Sequence, residues 1–287
     1  MTALDPVIAQ LAVPAAATVI VAALIRLIGG TGTGTRAAAF GVPVGLIAGY
    51  ALLPGVPWTP PVAAADKLIW LALGGGLLGL LVDVTGRGRA VVPILGFLWP
   101  MVAIAWLVGP TILSVGEATL YRYAGVAVAL GLIIVRLNQI GGGASGFAGP
   151  VTATAITGGL SAVAFVSGDS GVAAVGFPLA AAGLGWMVCN WPTWRFAFGA
   201  AGLLGGTGTA LALAAYAVLF TSSNSSLYLI ALAAVLVEPL ARAWTGRRAL
   251  TKAEAIQPIA LAILGAIPAA LAVGLAVYAP GLVPSLF

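Results

Sequence analysis

Residues 184–199 read L-G-W-M-V-C-N-W-P-T-W-R-F-A-F-G, and this stretch decides the fold. It joins the tail of one apolar run to the head of the next, with Asn190, Pro192 and Arg195 in the break between them. Three tryptophans, Trp186, Trp191 and Trp194, are interleaved with those polar residues. Tryptophan favours the level where lipid tails meet headgroups, and arginine favours the cytoplasmic end of a span. The stretch therefore reads as a turn at a membrane interface, with its aromatic rings as anchors.

Working outward, the composition allows no other setting. Of 287 residues, 61% are hydrophobic and only 7% charged, and the mean hydropathy is +1.14. A soluble surface needs far more charge than that. Apolar runs of about 20 residues, enough to cross ~30 Å of hydrocarbon, fall at residues 6–28, 37–56, 67–84, 90–109, 119–138, 147–167, 171–190, 196–220, 226–244 and 256–279. The expectation is an all-α, polytopic membrane protein of ten transmembrane helices, folded as a single transmembrane domain over 1–287. With both termini extracytoplasmic, Arg26, Arg36, Arg87, Arg89, Arg136, Arg195, Arg242, Arg247, Arg248 and Lys252 lie on the inner side, ten of the twelve bases. Only Lys67 and Arg122 lie outside, and the excess of bases on one side fixes this orientation. The inner (cytoplasmic) membrane follows as the location. Topology accounts for the net charge of +5, so it does not point to nucleic acid.

Histidine is absent and Cys189 is the one cysteine, which removes the familiar zinc and Cys/His catalytic sets and any internal disulfide. The expected outer loops are short, turn-rich and without a catalytic set. The inner ones hold the polar chemistry: residues 29–36 (G-G-T-G-T-G-T-R), 83–89 (D-V-T-G-R-G-R), 139–149 and the basic stretch 238–257. Asp83 and Glu238 stand at the inner ends of their spans with arginines close in sequence. Interfacial salt bridges with those neighbours are the plain reading, and such pairs are worth little. The functional alternative has the two carboxylates facing one another across a cleft lined by Arg36, Arg87, Arg195 and Arg247. Such a cleft suits a phosphate, because the planar guanidinium fork matches phosphate oxygens. Glycines 74, 75, 76 and 79 are expected to let helix backbones approach closely. Thr152, Thr154, Thr157 and Ser161 lie inside one span and are expected to bond to their own helix backbone.

Four segments carry a resemblance. T-G-T-R-A-A-A-F-G (33–41), G-L-L-V-D-V-T-G-R (79–87), Q-I-G-G-G-A-S-G-F-A (139–148) and G-W-M-V-C-N-W-P-T-W-R-F-A-F-G-A-A-G (185–202) are similar to segments of the polyprenyl-phosphate N-acetylhexosamine-1-phosphate transferases of the MraY/WecA type, glycosyltransferase family 4. The resemblance implies a ten-span fold that joins a sugar phosphate from a UDP-sugar to a lipid phosphate with Mg²⁺. It also implies lost chemistry. Where that pattern has aspartates this chain has Val82, Gly142, Ser145 and Ala200, and its histidine-rich stretch has no counterpart. Asp83 and Asn190 remain, and Glu238 stands near where the pattern has an acid. Magnesium binds hard oxygen ligands, and phosphoryl transfer needs metal and cations to offset the charge of the pyrophosphate.

The resulting expectation is a degenerate, non-catalytic relative. It would bind polyprenyl phosphate or another anionic lipid through Arg36, Arg87, Asn190, Arg195, Glu238 and Arg247, as a homodimer or beside a partner enzyme of cell-envelope glycan synthesis. No cofactor is then needed. The alternatives are an active transferase with Asp83 as catalytic residue and Mg²⁺ as cofactor, or a small-molecule transporter with a polar site near mid-membrane.

Overall fold

A computed structural model describes residues 6–52, 63–141, 147–191, 195–240 and 250–279. A chain surrounded by hydrocarbon must satisfy its backbone N–H and C=O groups internally, and helices do so within one segment. The described residues contain helices and no strand. In order they are α1 (Pro6–Gly29), α2 (Thr35–Ala37), α3 (Gly41–Ala51), α4 (Ala64–Thr85), α5 (Gly88–Val108), α6 (Glu117–Gly141), α7 (Ala148–Ser167), α8 (Ser170–Cys189), α9 (Gly208–Phe220), α10 (Ser225–Leu232) and α11 (Leu250–Tyr278). Pro14, Pro93, Pro100 and Pro178 sit inside these helices, where packed neighbours make proline tolerable in membrane spans.

Eight helical stretches among the described residues are long and apolar enough to cross a bilayer. The first, Ile8–Ala51, is 44 residues long, about twice what one crossing needs. It doubles back: Gly41 packs on the Thr18 carbonyl and Gly49 on Pro14, so α3 runs antiparallel to α1. The Thr18 hydroxyl ties the pair by donating to the Pro14 carbonyl at 2.9 Å and the Gly41 carbonyl at 3.1 Å. A shorter apolar stretch covers Ser225–Leu240. The expected helix over 226–244 is interrupted, with α10 passing into a 3-10 turn at Ala233–Leu236 and residues 238–240 helical again; residues 241–244 lie outside the described residues.

The core gathers around Trp186, Tyr228, Leu46, Leu68, Ile156 and Leu160, none of them more than marginally exposed. Large apolar side chains such as Leu27, Leu81, Ile94, Leu132 and Ile263 cover the outside, as a lipid-facing surface requires. Trp186 departs from the anchoring role expected of it. It is fully buried, with its ring edge-on to Phe198 at 4.9 Å between centroids and 76° between planes. Trp191 is the exposed one, and Trp194 lies outside the described residues.

Of the four clustered glycines in α4, three make the close approach. A Cβ on Gly75 would lie 2.7 Å from the Leu204 carbonyl oxygen, and one on Gly79 would overlap the Ala200 carbonyl and lie 2.5 Å from the Ala201 Cα. Gly76 faces Pro43 and Phe40. Gly74 is exposed with nothing near it, so its place in the cluster is compositional only. The small faces of α4 let the segment from Ala200 to Thr207 lie directly on it, and that contact builds the site.

Candidate functional site

Asp83 lies two residues before the end of α4, which Gly86 stops in the left-handed conformation at φ 69°, where glycine alone is unstrained. The side chain is 4% exposed. Its Oδ1 accepts a hydrogen bond from the Ala200 N–H at 2.8 Å and its Oδ2 one from the Ala201 N–H at 3.0 Å. Those are the leading amides of the helical stretch that begins at Ala200, which lack partners inside their own helix and carry the positive end of its dipole. Asp83 is therefore a cap supplied from 117 residues away. A Cβ on Gly199 would lie 2.5 Å from Asp83 Oδ2, so glycine there keeps the carboxylate in place.

Arg36 comes from α2, between the two antiparallel halves of the first stretch. Its Nε donates to the backbone carbonyl of Asp83 at 3.3 Å rather than to the carboxylate. The Thr35 carbonyl accepts from the Ala197 N–H at 3.2 Å, which binds this corner to the chain leading into Ala200. Arg36, Val82, Asp83, Gly86, Arg87, Gly88 and Val91 then line a cavity of about 640 Å³ at this end of the bundle. Both arginines are exposed to it from the rim.

The other expected site residues are placed differently. Asn190 is fully buried and turned to backbone: its Nδ2 donates to the Trp186 carbonyl at 3.1 Å, and its Oδ1 accepts from the N–H groups of Arg195 at 3.0 Å and Phe196 at 2.7 Å. It braces the turn after α8 and does not line the cavity. Arg195 is exposed and outside the lining as well. Glu238 does not face Asp83. It is 1% exposed and meets Arg136, with Arg136 Nη2 donating to its Oε2 at 3.0 Å across 102 residues. Burial is the reason, because a carboxylate inside the bundle needs a partner from an element packed there, and α6 supplies one. Arg247 and Arg248 lie outside the described residues, as do Gly142 and Ser145.

The described residues around Asp83 do not make up a magnesium site. Val82 and Ala200, where the resemblance has carboxylates, are apolar and only 5% and 2% exposed. Each Asp83 oxygen already accepts a backbone N–H. Among the described residues no three His, Cys, Asp or Glu side chains gather. What the arrangement offers instead is two guanidinium groups above a helix start that is already neutralised.

The opposite end holds contacts that the sequence left unread. Tyr50 donates to Asp66 Oδ1 at 2.6 Å, Tyr228 donates to Asp169 Oδ2, and Lys67 Nζ donates to the Trp106 and Leu107 carbonyls at 3.1 and 2.9 Å. Tyrosine near a span end beside an aspartate at the head of another span is the signal that could have found the first two. An apolar groove of about 340 Å³ between α6, α9 and α10 also had no sequence signature; Leu130, Ile133, Ala215, Val218, Leu229 and Leu232 are among its walls. No protein-family model, curated protein or solved structure matches the chain.

Proposed function

We propose that this is a ten-pass protein of the inner membrane that binds polyprenyl phosphate, or an anionic lipid of the same chemistry, and does not transfer sugar phosphate. The count of ten takes Ile8–Ala51 as two passes and Ser225–Leu240 as one. The bases put the Arg36–Arg87 end on the cytoplasmic side and both termini outside. The observation that carries the reading is the cavity that pairs those two arginines with a carboxylate committed to backbone amides. Arginine binds phosphate through paired N–H donors without a metal, and Arg36 uses one donor on the Asp83 carbonyl. The wholly apolar groove along α6, α9 and α10 suits a hydrocarbon chain. Ala215 and Leu232 on that groove belong to the same packed cluster as Val82 and Val91 on the cavity, so one wall supports both.

Binding is tested with purified protein and undecaprenyl phosphate, against undecaprenol as the chain without the charge. The phosphate is expected to bind at least about tenfold more tightly, a difference of ~1.4 kcal/mol, and Arg36→Ala with Arg87→Ala to remove that preference. Equal binding of alcohol and phosphate ends the proposal.

The transferase reading requires Asp83 to leave its two amides for metal or proton chemistry. UMP release from UDP-sugars with Mg²⁺ and lipid phosphate measures it. Turnover abolished by Asp83→Asn in a folded protein would establish it in place of the silent reading. The hydroxyls of α7 lend the transporter reading little. Thr154, Thr157 and Ser161 donate to the carbonyls of Pro150, Ala153 and Thr157, four residues back.

A further inference from the structure

Five hydroxyls inside these helices share one habit. Thr18, Thr154, Thr157, Ser161 and Thr209 each donate to the carbonyl four residues earlier, the usual way a helix absorbs a hydroxyl in an apolar setting. Thr207 does not. It is 1% exposed, and its Oγ1 has no hydrogen-bond partner among the described residues.

The backbone explains why. Residues Gly202–Thr207 form a π-helical turn, and the Leu203 carbonyl, four residues before Thr207, accepts from the Gly208 N–H five residues on. In that wide turn the Leu203 carbonyl is aligned on the Gly208 N–H, and the Thr207 hydroxyl makes no bond to it. A buried hydroxyl without a partner costs on the order of a hydrogen bond's desolvation, so something should meet it.

Thr207 lines a small half-open space of about 20 Å³, together with Thr154, Thr157, Pro150, Gly183 and Phe198. That volume holds one water and little else, since one probe sphere needs ≳ 10–15 Å³. The proton count also closes. The Thr154 and Thr157 hydroxyls spend their protons on their own helix, so each oxygen is left as an acceptor. Thr207 has a proton with no acceptor. We infer that one ordered water occupies this cavity, accepting from the Thr207 hydroxyl and donating to the hydroxyl oxygens of Thr154 and Thr157.

The water belongs to the fold. It lies seven residues along the chain from the Asp83-capped start at Ala200, and it satisfies a buried hydroxyl that has no bond to its own helix. A bare monovalent cation fits less well: it would leave the Thr207 proton unmatched, and no lining residue carries a negative charge. The inference is independent of the lipid proposal, because none of these residues lines the arginine cavity.

Thr207→Val in the full-length purified protein removes the donor and closely keeps the shape. Its melting temperature is expected to fall by about 2–4 °C, the scale of one lost hydrogen bond in a chain of this size, with undecaprenyl phosphate binding unchanged. Thr157→Val combined with it should cost less than the sum of the two single losses, because both act through one water. A melting temperature that holds or rises in Thr207→Val, or strict additivity, overturns the inference. So does a melting temperature that depends on sodium when choline replaces it at equal ionic strength. Should Thr207→Val not fold, an experimental map at about 2 Å decides. A peak ~2.5–3.0 Å from Thr207 Oγ1 supports the water, and an empty cavity or a hydroxyl turned onto the Leu203 carbonyl refutes it.

Discussion

At the scale of the residue, a carboxylate that is 4% exposed at the end of a membrane-crossing helix needs donors, and Asp83 takes two from backbone. Hydrogen bonds to a charged group are each worth about 1.5–3 kcal/mol, and lost helix caps about 0.5–2 kcal/mol. Asp83→Ala should therefore destabilise the folded protein by about 2–4 kcal/mol, seen as a lowered denaturation midpoint in detergent. Asp83→Asn, which keeps one acceptor oxygen, should lose less. Equal stability of wild type and Asp83→Ala would show that the cap is decorative. Glu238 poses the complementary case, a buried acid whose Arg136 partner is 47% exposed on its side chain. Solvent at the arginine screens the pair, so the full ~3–5 kcal/mol cost of orphaning a buried charge does not apply. A double-mutant cycle of Arg136→Ala with Glu238→Gln should give a coupling above the ~1 kcal/mol ceiling of exposed pairs and below that full cost. Zero coupling would mean that other neighbours hold Glu238.

At the scale of the element, α4 shows how glycine position separates packing from composition. Gly79→Ala would drive a methyl group into the backbone at Ala200 and Ala201, and backbone cannot step aside as a flexible side chain can. Overpacking of this kind costs at least about 1–3 kcal/mol, and the variant should also loosen the Asp83 cap, since the same two residues are displaced. Gly74→Ala meets nothing within 4 Å and should be neutral, or stabilising by up to ~1 kcal/mol through helix propensity. Melting curves of the two variants side by side check this, and similar behaviour would contradict the packing of α4 on the π-turn.

At the scale of the whole molecule, the chain has two polar ends and an apolar girdle. One end gathers Arg36, Asp83, Arg87 and the segment from Arg195 to Ala201; the other gathers Tyr50, Asp66, Asp169 and Tyr228. The distribution of bases predicts which end faces the cytoplasm. In a Cys189→Ser background, Ser222→Cys should react with a membrane-impermeant maleimide in intact cells. Thr85→Cys should react only after permeabilisation. Reversed labelling would invert the orientation, and with it the side from which the proposed lipid phosphate would reach the arginines.

By itself the sequence determined that this chain is all-helical with many apolar membrane-crossing helices, and that its acids and most of its bases collect at span ends. Those features are local, because a bilayer demands about 20 apolar residues and internal backbone bonds from every crossing, whatever lies next to it. On sequence alone Asp83 is expected to share a cleft with Arg36, Arg87, Arg195 and Glu238; what meets the Asp83 carboxylate is the pair of N–H groups at Ala200 and Ala201. Only the tertiary structure decided that Asn190 braces backbone, that Glu238 meets Arg136 and not Asp83, that Trp186 is core, and that the Thr207 hydroxyl has no bond to its own helix. The reason is that both the lipid-facing and the buried faces of such helices are apolar. No pattern along the chain tells which face turns inward, and partners 102 or 117 residues apart are chosen by packing alone.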